Sequence, residues 1–196
     1  MLVFSVPGLT WSEVADLDLP EMEDFFAQSA LADLAPRGVS PRSSPGDAYL
    51  TISAGARTTT ERTVDGQVLA LDEQSSGSAA GEIFTRRTGL VPDGDHVSLA
   101  WPALVRTNAR QPYDAVLGLL SDTLEAAGIT SAAVGNADGT DSLGPSYERQ
   151  VGLAVAGSDG VVDGSALGKE LLVDDPAAPF GVRMAEDVAA EEFRAA

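Results

Sequence analysis

The stretch that decides the predicted fold is DAVLGLLSDTLEAAGITSAAVGNADG, residues 114–139. Leucine recurs at helical spacing in its first half, and Gly128 stands where a helix commonly ends. Small apolar residues then run to a turn rich in glycine and aspartate. A helix, a tight turn and a strand in succession are typical of α/β units. We therefore predict a helix over 114–127 and a strand of a parallel sheet over 129–134.

Shorter signals on both sides predict further elements of the same fold. The apolar run 2–6 ends at Pro-Gly and indicates a first buried strand. Pro20 precedes three acidic residues and predicts the start of a helix, because acids favour the positive end of a helix. The other predicted elements are a strand over 29–34, helices over 47–55, 77–87 and 145–156, short strands at 161–162 and 171–173, and a helical pattern at the carboxyl end. The predicted class is α/β, a mostly parallel sheet flanked by helices, in one domain over 1–196.

The composition excludes several classes of protein. Thirty acidic and twelve basic side chains give a net charge of −18, a field that repels nucleic acids and anionic lipid surfaces. The absence of cysteine excludes disulfides, thiolate nucleophiles and cysteine metal sites. No stretch approaches the roughly 20 apolar residues that span a bilayer, so we expect a soluble chain with no direct membrane insertion. Its last ten residues stop on a helical pattern without a cap, which favours a fragment of a longer protein.

Three segments carry a resemblance to a known superfamily. They are FSVPGLTW at 4–11, PGDAYLTISAG at 45–55 and SDTLEAAGITSAAVGN at 121–136. In this order they resemble the amino-terminal half of alkaline-phosphatase-like enzymes, which include sulfatases, nucleotide phosphodiesterases and cofactor-independent phosphoglycerate mutases. The resemblance covers roughly residues 2–155 and implies an alkaline-phosphatase-like fold, present in part.

The resemblance also implies where the catalytic residues of the family would lie. Pro7 occupies the position of the metal-binding aspartate and has no side-chain ligand atom. The nucleophile position falls on Pro45, or on Ser44 after a one-residue slip. The remaining aspartate and histidine ligands of the family belong to a carboxy-terminal half that this chain lacks. Because the family activates its nucleophile with metal ions, the resemblance implies a degenerate site that holds no metal or other cofactor.

Ser44 and Asp47 are the candidate site residues and admit two interpretations. In the functional one they are the vestige of a catalytic site at a helix start, where backbone N–H groups can hold an anion. In the structural one they are simply an N-cap and its turn. We favour the second interpretation because helix starts require these residue types.

Two other motifs suggest a metal site. His96 ends the sequence PDGDH and could pair with an aspartate, but the chain has no second histidine, so we predict an exposed histidine in a turn. Asn136, Asp138 and Asp141 have calcium-loop spacing, but the glutamate that closes such a loop is missing. We predict a glycine-rich turn there.

Three functional hypotheses follow. The lead hypothesis is a catalytically inactive alkaline-phosphatase-like domain that acts in binding or scaffolding, within a longer bacterial protein that is extracytoplasmic and associated with the cell surface. The alternative is a Zn²⁺- or Mn²⁺-dependent phosphoric- or sulfuric-ester hydrolase, with Ser44 as nucleophile and its remaining ligands in a missing carboxy-terminal half. The second alternative is an acidic interaction domain that binds a basic protein partner.

Overall fold

The structure is a computed structural model that describes residues 1–17, 19–30, 32, 38–60, 65–140 and 147–195. Contacts divide the chain into two compact units, Met1–Pro36 and Arg37–Ala196. Among the described helices, none is long and apolar enough to cross a membrane.

The first unit contains two short helices, α1 (Trp11–Asp16) and α2 (Pro20–Ala27). Thr10 and Glu13 form a capping box at the start of α1, in which each side chain accepts a hydrogen bond from the other's backbone N–H. The helix predicted from Pro20 is confirmed by α2. The strand predicted over 2–6 is wrong: these residues form no strand and their side chains are exposed.

The second unit contains the remaining helices and all of the strands of the described chain. Its α-helices are α3 (Pro45–Ala54), α4 (Ala80–Thr88), α5 (Trp101–Asn108), α6 (Leu119–Ala126) and α7 (Glu186–Ala195), and its 3-10 helices span Gln150–Ala154 and Lys169–Leu171. Its strands are β1 (Val68–Ala70), β2 (Gln74–Ser75), β3 (Ser78–Ala79), β4 (His96–Ser98), β5 (Val161–Val162), β6 (Leu172–Asp174) and β7 (Val182–Met184).

The strands form three small antiparallel sheets. The largest has the order β1-β4-β5, with Leu69 opposite Val97 and Val97 opposite Val161. The other two are the pairs β2–β3 and β6–β7. Each strand has two or three residues.

The predicted fold class, a mostly parallel sheet of alkaline-phosphatase-like form, is wrong. Among the described residues, the pairing of Val134 with Ala166 is the one parallel contact, and it is a single bridge. No strand forms over 129–134, because Val134 alone in this range pairs with another segment. The N–H of the preceding residue, Ala133, donates to the side-chain oxygen of Ser165 and not to a strand backbone. The molecule is a mixed α/β structure with antiparallel pairs.

Two hydrophobic clusters cover the two faces of the largest sheet. Alternation along the strands sends Leu69, Val97 and Val161 towards α4, where Phe84 is fully buried. The opposite face carries Val68 and Val162. Their cluster includes residues of α3, α5 and the first 3-10 helix: Leu50, Ala54, Trp101, Leu104 and Leu153.

Local signals predicted several elements of this unit well. The helix predicted over 47–55 is confirmed by α3, which ends at Gly55 in the left-handed conformation (φ 61°). The helix predicted over 77–87 is confirmed from residue 80 onwards by α4, whereas Ser78 and Ala79 form β3. The strands predicted over 161–162 and 171–173 are confirmed by β5 and, shifted by one residue, by β6. The carboxyl-terminal pattern forms α7.

Other helix predictions need correction. The helix predicted over 114–127 begins only at Leu119, because Asp114 (φ 49°) and Gly118 (φ 85°) both have left-handed backbones. Over 145–156, the described part contains only a 3-10 helix of five residues. Residues 145 and 146 lie outside the described residues, as do 31, 33 and 34 of the strand predicted over 29–34.

Candidate functional site

Ser44 and Asp47 lie together at the start of α3. The Ser44 hydroxyl accepts a hydrogen bond from the Asp47 N–H at 3.1 Å, and the Asp47 carboxylate accepts one from the Ser44 N–H at 2.9 Å. Ser44 is therefore the N-cap residue, and Pro45 occupies the first position of the helix, where its missing N–H costs nothing.

Asp47 also holds a neighbouring segment of threonines. Its second carboxylate oxygen accepts hydrogen bonds from the Thr60 N–H at 2.7 Å and the Thr60 hydroxyl at 3.1 Å. The same segment is held from the other side by Asn108, which exchanges two hydrogen bonds of 2.9 Å with the backbone of Thr59. The buried Asp47 side chain thus joins the start of α3 to the threonine segment, since both of its carboxylate oxygens accept hydrogen bonds.

Pro7 lies in a turn of the first unit, next to Gly8 with φ 86°. Its ring offers no atom that could ligate a metal. The described residues contain no group of three or more His, Asp or Glu side chains that could hold a metal ion. Within the described residues, neither Pro7 nor the Ser44–Asp47 pair belongs to a group of side chains that fits the metal centre of the alkaline-phosphatase-like family.

Sequence reasoning missed a buried polar group that is centred on Arg149. This side chain is fully buried. Its two terminal nitrogens bond the two carboxylate oxygens of Glu73 at 2.6 and 2.9 Å, and its Nε bonds Asp138 at 2.9 Å. The Tyr147 ring centre lies 5.5 Å from the guanidinium carbon.

The carboxylates of Glu73 and Asp138 stabilise the charged form of Arg149. Burial acts to lower the pKa of Arg149, but the hydrogen bonds and charges of Glu73 and Asp138 outweigh burial and raise it. The group joins a turn after β1, the loop before residue 140 and the segment before the first 3-10 helix. It is satisfied by its own partners, and this indicates a structural role.

The calcium-loop motif belongs to this structural group. Asn136 donates from its amide to the carbonyls of Leu167 and Gly168, both at 2.9 Å, and accepts from the Asp138 N–H at 2.7 Å. Asp138 uses its remaining oxygen to accept from the Glu148 N–H. Asp141 lies outside the described residues.

The prediction of an exposed His96 in a turn is wrong, because His96 is buried at the start of β4. Two polar atoms on the same face of this strand, His96 Nδ1 and the Ser98 hydroxyl, are buried and have no hydrogen-bond partner among the described residues. Burial lowers the pKa of His96. Arg149 lowers it as well, whereas the carboxylates of Asp95, Glu170 and Glu73 raise it, and the lowering prevails.

The depressed pKa of His96 predicts an acid-dependent loss of stability. In the unfolded chain the imidazole has a pKa of about 6.5, so on acidification the unfolded state binds the proton first. We expect the free energy of unfolding contributed by His96 to be complete above about pH 6.5. It should fall as the pH is lowered through the folded-state pKa.

The measurement is urea unfolding at several pH values between 7.5 and 5.5, for the parent chain and for His96→Gln. The parent should lose stability over this interval, and the variant should show a flatter profile. Identical slopes for the two proteins would contradict the assignment to His96.

Comparison with protein-family models, with curated proteins and with solved structures finds no match for this chain. The resemblance to alkaline-phosphatase-like enzymes therefore stays a prediction.

Proposed function

We propose that this chain is a catalytically inactive domain that acts by binding a protein partner. The observation that supports it most directly is the mutual capping of Ser44 and Asp47, because the hydroxyl of the candidate nucleophile accepts the Asp47 N–H. Among the described residues, the Ser44 hydroxyl lies 3.5 Å from the Thr60 hydroxyl, which is not a base, and the Asp47 carboxylate instead accepts from the Ser44 N–H and from Thr60.

Charge supports a cationic partner. The chain has a net charge of −18, and its surface is accordingly rich in carboxylates. In the second unit, the exposed acids of the loops around β4 and β5 include Asp93, Asp95, Asp159 and Asp163. Such a field accelerates encounters with basic proteins and disfavours nucleic acids.

We expect no turnover of 4-nitrophenyl phosphate, bis(4-nitrophenyl) phosphate or 4-nitrophenyl sulfate when the purified chain is supplied with Zn²⁺ or Mn²⁺. The physical reason is that, in the part of the chain that the structure describes, the Ser44 hydroxyl contacts no base and no group of side chains could hold the metal ion beside it. Release of 4-nitrophenol, followed by absorbance, is the measurement.

Two variants make this assay decisive. Ser44→Ala removes the candidate nucleophile, and Ser43→Ala removes an exposed neighbouring hydroxyl as the matched control. Metal-dependent turnover that Ser44→Ala abolishes and Ser43→Ala preserves would overturn the proposal and establish the hydrolase alternative.

A further inference from the structure

The first unit presents apolar side chains to solvent without a core of its own. None of its described residues is buried. Its large exposed apolar residues are Met1, Leu2, Val3, Phe4, Val6, Leu9, Trp11, Leu17, Leu19 and Phe25. Large exposed apolar patches are uncommon in monomeric proteins and mark interaction sites.

An aromatic cluster organises this surface. The Phe26 ring lies 5.3 Å from the Trp11 ring and 5.8 Å from the Phe25 ring, both in edge-to-face geometry. Phe25 is 66% exposed and Trp11 is 57% exposed. Met22, Phe25 and Phe26 have the i, i+3, i+4 spacing with which an amphipathic helix enters a groove.

The charge of the same segment is of one sign. Residues 1–36 carry seven acidic side chains and no lysine or arginine. On α2 the acids Glu21, Glu23 and Asp24 are exposed beside the aromatic residues. An apolar ridge flanked only by carboxylates is complementary to an apolar groove flanked by basic side chains.

We propose that the first unit is a docking segment for a protein partner that has an apolar groove bordered by arginine or lysine. This inference rests on the proposed binding function and names the surface that carries it. Phe25, Phe26 and Trp11 are the anchors, and the acids of α2 steer the encounter and select the partner by charge.

Charge also argues against other occupants of this surface. A second copy would bring two segments together that each have seven acids and no base, so repulsion opposes pairing. Anionic lipid and nucleic acid are repelled for the same reason.

The test uses a synthetic helical peptide with leucine on one face and arginine on the other as the probe, and the full chain as the receptor. Fluorescence anisotropy of the labelled peptide measures the affinity. We expect binding that weakens at least about tenfold in the double variant Phe25→Ser, Phe26→Ser. Added salt should weaken it too, as expected for a contact between opposite charges.

Matched controls lie on the second unit. Val105→Ser with Val116→Ser removes two exposed apolar side chains of that unit and should leave the affinity unchanged. Neutralising the α2 acids (Glu21→Gln, Glu23→Gln, Asp24→Asn) should weaken binding, whereas Glu186→Gln, Asp187→Asn and Glu191→Gln on α7 should not.

Several outcomes would overturn the docking proposal. These are no binding of the peptide, equal binding by the aromatic double variant, equal binding of a leucine–glutamate peptide, or a dimer of the chain that the aromatic substitutions abolish. These outcomes concern peptide binding and self-association, whereas turnover of the esters would overturn the proposed function. The two experiments therefore distinguish failure of the docking proposal from failure of the proposed function.

Discussion

Replacing Arg149 with methionine is expected to lower the free energy of unfolding by about 3–5 kcal/mol, because the change leaves buried carboxylates without their cation. Arg149 is fully buried and Asp138 is 4% exposed, so water cannot replace the lost guanidinium at Asp138. Glu73 is 22% exposed and can recover part of its hydration. Urea unfolding followed by circular dichroism at pH 7.5 measures the effect.

The matched control is Arg183→Met. Arg183 pairs with Asp175 at 3.5 Å and is 54% exposed, so its loss should cost no more than about 1 kcal/mol. A triple variant, Arg149→Met with Glu73→Gln and Asp138→Asn, removes the uncompensated carboxylate charges together with the ion pairs. It should be more stable than Arg149→Met alone. Equal effects of Arg149→Met and Arg183→Met would contradict a buried charged centre.

Replacing Asp47 with alanine is the second large expected effect, a loss of about 3 kcal/mol in the free energy of unfolding. The substitution removes the cap partner of Ser44 and the acceptor for two donors of Thr60. A hydrogen bond to a charged group contributes about 1.5–3 kcal/mol, and a helix cap typically about 1 kcal/mol. Thermal and urea unfolding give the measurement.

Asp72→Ala is the control for Asp47→Ala, because Asp72 is an exposed acid in a turn and its substitution should change stability by no more than about 0.5 kcal/mol. Ser44→Ala should fall between the two, at about 1 kcal/mol, since it removes only the N-cap acceptor. An Asp47→Ala chain as stable as the parent would show that the hydrogen bonds of Asp47 do not organise this edge of the core.

Asp47 and Arg149 are residues on which the stability of the second unit is expected to depend. The proposed docking residues belong to the first unit. Phe25 is exposed, Phe26 is partly buried, and neither belongs to the hydrophobic clusters of the second unit. Binding and stability should therefore respond to different substitutions, which makes the proposed function testable without unfolding the protein.

Much of the candidate site could be predicted from sequence because its determinants are local. Ser44, Pro45 and Asp47 lie within four positions, and their residue types already indicate a helix start. Gly55 marks the end of the same helix for the same reason, since its backbone is left-handed. The structure adds Thr60, which no local pattern connects to Asp47.

The remainder could not be predicted because it depends on distant contacts. Arg149 and Glu73 are 76 positions apart, and no pattern around either residue indicates that they meet. His96 follows a polar turn that suggests exposure, yet it starts a central strand between β1 and β5. Burial of that position is decided by what packs against it.

The amino-acid sequence by itself determined the local structure and the charge: where α2, α3 and α4 begin or end, and that the surface is anionic. Caps, prolines and glycines act within a few residues, so their effect depends little on distant contacts. Tertiary structure alone decided that the strands pair in antiparallel fashion and that Arg149 is buried between two carboxylates. Strand direction and ion pairing are set by contacts between segments far apart in the chain, whose energies no local window contains.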